Sequence, residues 1–211
     1  VAIDLAALGL ALVVVPLYVD DNPDNLAWCV ANAEAKLAIV ENVRLSAALR
    51  KGAPGGTLPL RIVVLRAEEA IAGGGGAVAA AEYLAGATGA VEVAPLPDRT
   101  LATICYTSGT AGRPKGVMLS HGNILANVEA CRETGMARPS DRFLSILPLS
   151  HVFERTGLYV YIMYGMQVFY AESIDKVPDN LKEVRPTIFV GVPRIFEKVF
   201  ERARLKTALS G

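Results

Sequence analysis

The chain has 211 residues, 52% of them hydrophobic and 20% charged, with Lys plus Arg equal to Asp plus Glu at 21 each. This composition predicts a folded core of one large domain or two small ones and excludes a disordered chain; a formal net charge of zero leaves no footprint for nucleic acid. Cys29, Cys105 and Cys131 are odd in number and widely spaced, with no Cys-x-x-Cys and only two histidines, a pattern that suggests neither a disulfide framework nor a zinc site and fits a reducing cytoplasm.

The first apolar run, 5–19, is about 15 residues long and is interrupted by Pro16. It falls short of the roughly 18 to 20 residues a spanning helix needs, so it is expected to be core. Val1 leads into Asp4, Leu5 and Leu8 like the middle of an amphipathic helix, without the charged leader of a signal peptide, and the chain is expected to begin inside a longer protein. β-Branched runs at 11–15, 37–40, 61–65, 101–107, 143–147, 167–170 and 187–190 read as strands alternating with helices, a pattern that implies a largely parallel, buried sheet. Helices are expected after Asn22 with Pro23 in the first turn, after Ser120 as a cap, and from 193 to about 207. The glycine- and alanine-rich stretch 71–90 reads as a surface excursion or short helix in a flexible linker. A second soft boundary falls at 135–141.

The most informative run is Tyr106-Thr107-Ser108-Gly109-Thr110-Ala111-Gly112-Arg113-Pro114-Lys115-Gly116, directly after the strand at 101–105. Hydroxyls on Thr107, Ser108 and Thr110, together with three glycines, let side chains and backbone amides converge on phosphate oxygens, and Lys115 adds a mobile positive charge. The pattern is not a Walker loop: Pro114 stands where the second glycine should precede the lysine, and no Ser or Thr follows Lys115. A bare Ser/Thr/Gly loop is more often an ordinary surface turn; the lysine, the proline before it and the preceding strand tip this one toward an anion site.

This run resembles the signature phosphate loop of the adenylate-forming superfamily, which includes acyl-CoA synthetases, luciferases and peptide-synthetase adenylation domains. Leu147-Pro148-Leu149-Ser150-His151-Val152-Phe153-Glu154-Arg155 and Arg185-Pro186-Thr187-Ile188-Phe189-Val190-Gly191-Val192-Pro193-Arg194-Ile195-Phe196-Glu197-Lys198 look like bacterial long-chain fatty-acid CoA ligases, in matching order. Upstream, the run 6–18 followed by Asn25 and Ala35-Lys36-Leu37 is similar to the family's early helix, strand and next strand entry, so the resemblance covers most of the chain apart from 71–90. It implies ATP, Mg²⁺ and coenzyme A, with a fatty acid as the acid substrate. It implies that Thr107, Ser108, Gly109, Thr110, Gly112 and Lys115 hold the β and γ phosphates, that Thr107 helps to hold magnesium, and that His151 lies beside the acyl carboxylate.

Each assignment has a plainer competitor. A lone histidine such as His151 is more often structural, and His121, directly after Ser120, is explained by the start of a helix and is left out of the site. Gly191, between Val190 and Val192, reads equally as room for an alkyl chain or as a simple turn into Pro193; the resemblance favours the acyl tunnel. In the last helix Ile195, Phe196, Val199, Phe200 and Ala203 form a core face. Arg194, Lys198, Arg202 and Lys206 form a basic line that could meet the inner membrane face peripherally, but Glu197 and Glu201 dilute it, and a solvated face is the simpler reading.

The expected fold is α/β, carried over from the family: two incomplete αβ lobes with largely parallel sheets, 1–135 ending in the phosphate loop and its following helix, and 136–211 with the acyl-pocket motifs. The family's Tyr-Gly-x-Thr-Glu motif and small C-terminal domain with a catalytic lysine are not in this chain; Tyr164-Gly165 is followed by Met166. A segment lacking them is expected to be inactive alone. Two other readings stand: an adenylation domain for an aryl or amino acid, which would share the same loop, and a non-catalytic phosphate-binding fragment.

Overall fold

Asn22 and Pro23 open the helix around which the first half of the molecule is built. In the computed structural model, which describes residues 1–53, 59–66, 77–90, 93, 95–108, 112–135, 137–197, 200 and 204, the Asn22 side chain accepts the Asp24 N–H at 2.9 Å and Pro23 takes the first helical position. Together they satisfy one orphan donor and remove another. The chain divides into two units, Val1–Asn123 and Ile124–Gly211.

The first unit runs α1 (Ala2–Gly9), α2 (Pro23–Asn32), β1 (Leu37–Asn42), α3 (Val43–Lys51), β2 (Arg61–Arg66), β3 (Ala77–Ala79), α4 (Ala80–Tyr83), β4 (Leu101–Thr107) and β5 (Lys115–Ser120), followed by the start of α5 (His121–Glu133). Strands β1, β2 and β3 form a parallel sheet with β2 in the middle. Ile62, Val63 and Val64 of β2 are buried in succession, the mark of a strand covered on both faces. Leu26 and Val30 of α2, Leu49 of α3 and Ile62 make its core cluster. Each such side chain contributes roughly 1.5–3 kcal/mol by leaving water. Strands β4 and β5 form a separate antiparallel hairpin.

The second unit contains β6 (Arg142–Ser145), α6 (Val152–Met163), β7 (Gln167–Tyr170), a 3₁₀ turn (Ile174–Lys176) and α7 (Val177–Val184). Strands β6 and β7 are parallel, with α6 as the crossover between them. Alternation along β6 sends Phe143 into a cluster with Val128, Val160, Tyr161 and Met166, and Leu144 into another with Ile146 and Val177. Phe143 and Tyr161 stack with ring centroids 3.8 Å apart.

Several expectations are met at the level of elements. The caps at Asn22 and Ser120 are present, the latter as a reciprocal box in which the Asn123 N–H reaches Ser120 Oγ at 3.2 Å and Asn123 Oδ1 accepts the Ser120 N–H at 3.0 Å. Other expectations are corrected. Residues 11–15 form no strand: only Val14 bridges, to Thr103, because Ala11 sits at φ 58° and Pro16 has no N–H to donate. Likewise 187–190 bridges only at Ile188, to Phe143. The first apolar run is not core, since no residue of α1 is buried and Leu10, Leu12 and Val19 are exposed. The described part of 71–90 holds a strand and a short helix, and β5 was not anticipated. Residues 193–197 are helical. Ile195 packs against the Leu144 cluster whereas Phe196 and Phe200 are exposed. Lys198, Val199, Arg202, Ala203 and Lys206 lie outside the described residues.

Candidate functional site

Strand β4 leads into the candidate phosphate loop. Ala102, Thr103 and Cys105 are buried, and Thr103 Oγ1 donates to the Val14 carbonyl at 2.6 Å while the Ile104 N–H donates to the same carbonyl at 3.0 Å. On its other edge β4 pairs with β5 in a register that sets Thr107 opposite Lys115 and Tyr106 opposite Gly116. The loop is therefore the turn of a β-hairpin, with a cation and a hydroxyl facing each other across its root.

Side chains directly opposite in an antiparallel pair share a face, and neighbours along the strand take the other one. Thr107 and Lys115 thus emerge together, both exposed, with Ser108 exposed just beyond. No ion pair holds Lys115 among the described residues. Gly112, three residues before Lys115, has φ 88°, a backbone conformation that strains any side chain. Gly109 and Thr110 lie outside the described residues.

On the opposite face the Tyr106 ring lies across Gly116. A Cβ there would sit 3.2 Å from the ring and 2.8 Å from Ile104 Cγ2. The Tyr106 hydroxyl donates to Asn32 Oδ1 at 2.6 Å, and the Trp28 ring meets Tyr106 edge-on at 5.8 Å. Burial, and secondarily the neighbouring Cys29, raises the Tyr106 phenol above its ordinary value, so it stays a proton donor. Trp28 and Asn32 are support that sequence reading missed, because residues on a helix so far upstream give no sign of meeting the loop.

The donor set fits a metal–nucleotide better than a free metal ion. Thr107 offers one neutral oxygen, and among the described residues no group of three or more His, Cys, Asp or Glu could hold a metal. The remaining ligands of a magnesium ion there would be phosphate and water oxygens, its usual company.

In the second unit His151 is the N-cap of α6: its Nδ1 accepts the Phe153 N–H at 3.2 Å, which leaves the proton of the neutral ring on Nε2. The ring is exposed. Three residues further on, Glu154 is buried and accepts from Ser145 Oγ at 2.5 Å, with the Leu147 backbone as a further donor. Burial raises the Glu154 pKa, partly offset by those two hydrogen bonds. At Gly191 a Cβ would lie 3.2 Å from Phe196 Cε2 and 3.6 Å from Phe189 Cε1, so the space beside it is bounded by this edge-to-face aromatic pair. His121, the first residue of α5, takes no part in the cap, and its Nε2 is buried without a partner among the described residues.

The chain is an α/β protein in which a hydroxyl and a lysine stand opposite each other where two paired strands, β4 and β5, meet a glycine- and hydroxyl-rich segment of the sequence. Residues 1–211 match the family model described as AMP-binding enzyme, and the chain belongs to that family. It is 33% identical over 208 residues to the peroxisomal long chain acyl-CoA synthetase 7 of Arabidopsis thaliana, covering 94% of this chain and 29% of that protein. It is 32% identical to human long-chain-fatty-acid–CoA ligase 1 (96% and 31% covered) and 31% identical to the ligase FadD15 of Mycobacterium bovis (99% and 35%). The chain thus spans about a third of the length of these relatives. Among solved structures it resembles ATP-bound MatB from Rhodopseudomonas palustris at a TM-score of 0.74 and 25% identity, over 92% of this chain and 37% of that one. It shares the fold of VinN at a TM-score of 0.76 and 22% identity, over 98% and 48%. No helix among the described residues is long and apolar enough to cross a membrane.

Proposed function

We propose that these residues form the phosphate-holding end of the active site of an ATP-dependent long-chain fatty-acid–CoA ligase. The observation that carries this reading is the pairing of Thr107 with Lys115 at the root of the hairpin turn; the relatives named above supply the acid and thiol substrates. In the first step a fatty carboxylate oxygen attacks the α-phosphorus of ATP, forming the acyl–adenylate bond as the bond to pyrophosphate breaks. In the second, the coenzyme A thiol attacks the acyl carbonyl, giving up its proton, and AMP leaves.

Negative charge accumulates on the departing pyrophosphate, and Lys115, which has no ion pair among the described residues, is assigned to meet it. Thr107, Ser108, Gly109, Thr110 and Gly112, consecutive or nearly so in the sequence, are assigned to supply hydroxyl and amide donors to the β and γ phosphates. Thr107 would help to hold magnesium bound with the nucleotide, and the ion would supply further neutralisation of phosphate charge. His151 and Gly191 are assigned to the acyl side, His151 beside the carboxylate and Gly191 along the alkyl chain. The substrates suit a cytoplasmic enzyme that can meet lipid at a membrane surface.

The test is a substrate panel. The full natural polypeptide carrying these residues, given MgATP, coenzyme A and medium-chain, long-chain, aryl or amino acids in turn, should release pyrophosphate and form thioester best with long-chain acids. Preference for an aryl or amino acid would replace the fatty-acid assignment while keeping the loop. No pyrophosphate release with any acid would overturn the ligase reading.

A further inference from the structure

Asn32 is the last residue of α2, exposed, and its Oδ1 lies 2.6 Å from the Tyr106 hydroxyl. We propose that Asn32 is a positioning residue for the phosphate loop, fixing through Tyr106 the hairpin root from which Thr107 and Lys115 emerge. The proposal rests on the assignment of that loop to ATP made above.

The geometry ties one helix to both strands at the level of the site. Tyr106 immediately precedes Thr107 on β4, and its ring covers Gly116, which immediately follows Lys115 on β5. Trp28, one turn before Asn32 on α2, holds the ring edge-on. The hydroxyl bond fixes the ring in the plane that covers Gly116. Tyr106 thus acts as a strut whose far end is held by α2 and whose near end sets the separation of the two ligand-bearing residues.

A lone solvent-accessible neutral hydrogen bond adds little to global stability. Placement of charged groups against a phosphate is far more sensitive, because small displacements of a binding group carry large costs in rate. The bond between Asn32 and Tyr106 should therefore be felt in ATP binding more than in folding.

The experiment measures MgATP binding by calorimetry, and long-chain acid binding and the thermal midpoint beside it, in the full natural polypeptide carrying these residues. Tyr106→Phe and Asn32→Leu should each weaken MgATP binding roughly tenfold, the scale one hydrogen bond controls. The double variant should be no worse than either single one, since both remove the same bond. Asn32→Asp, which keeps an acceptor for the phenol, should bind like wild type. Acid binding and thermal midpoint should barely move. Tyr106→Phe keeps the ring on Gly116 and Trp28, so it remains informative if Asn32→Leu fails to fold. MgATP binding unchanged in Tyr106→Phe, additive losses in the double variant, or Asn32→Asp as impaired as Asn32→Leu would each overturn the proposal. A wild type that binds no MgATP would instead overturn the assignment of the loop itself.

Discussion

Glu154 and Ser145 tie the first turn of α6 to the end of β6: the buried carboxylate accepts the Ser145 hydroxyl at 2.5 Å, three residues after the His151 cap. Removing the acceptor leaves a buried hydroxyl and the Leu147 amide without their partner. Glu154→Leu should therefore cost about 1–3 kcal/mol in chemical denaturation. Glu154→Gln, which retains an acceptor, should cost less.

The same carboxyl makes stability depend on pH. Its folded pKa is raised by burial, so the folded state binds the proton more tightly than the unfolded one. Stability should then fall as pH rises from the ordinary glutamate range through the raised value, and level off above it. Urea midpoints across that range should give a flatter profile for Glu154→Gln than for wild type. Parallel profiles would mean that Glu154 titrates normally.

Thiol chemistry separates the three cysteines. Cys29 is buried, and burial, reinforced by Asp21, pushes its pKa up to about 11, while Cys105 is also buried and Cys131 is exposed. At pH 8 about one Cys29 thiol in a thousand would be ionised. Brief iodoacetamide treatment of the native protein, read by peptide mass spectrometry, should label Cys131 first and the other two only after denaturation. Fast labelling of Cys29 would contradict its packing.

Gly191 offers a test of the acyl side. Gly191→Phe places its Cβ 3.2 Å from the Phe196 ring, so that ring must yield and the new one takes up adjoining space. If an alkyl chain lies there, each excluded methylene forfeits roughly 0.8 kcal/mol. The kcat/KM profile across acids of increasing length should shift toward shorter ones. An unchanged profile would remove Gly191 from the tunnel.

What the sequence made legible follows from where the physics is local. Asn22-Pro23 and Ser120 mark helix starts because caps act within one turn, and β2, β6 and β7 announce themselves by runs of apolar or β-branched residues. Strand β5 was missed because the exposed residues from Lys115 to Met118 give it no buried face, so its place depends on pairing with β4. The bridge at Val14 looked like a strand because periodicity cannot register the reversal at Ala11. The hydroxyls and the lysine on which the loop's assignment rests stand together in the sequence, whereas the contact of Tyr106 with Trp28 and Asn32 is tertiary and has no local signature.

The most direct test of the account is Lys115→Ala in the full natural polypeptide carrying these residues, with pyrophosphate release measured under saturating MgATP and long-chain acid. Lys115 is assigned to charge that develops only as pyrophosphate departs, so the adenylation rate should fall about 10²-fold or more. Binding of the fatty acid should change little. Pyrophosphate release at the wild-type rate would contradict the assignment of this hairpin turn to the phosphates of ATP.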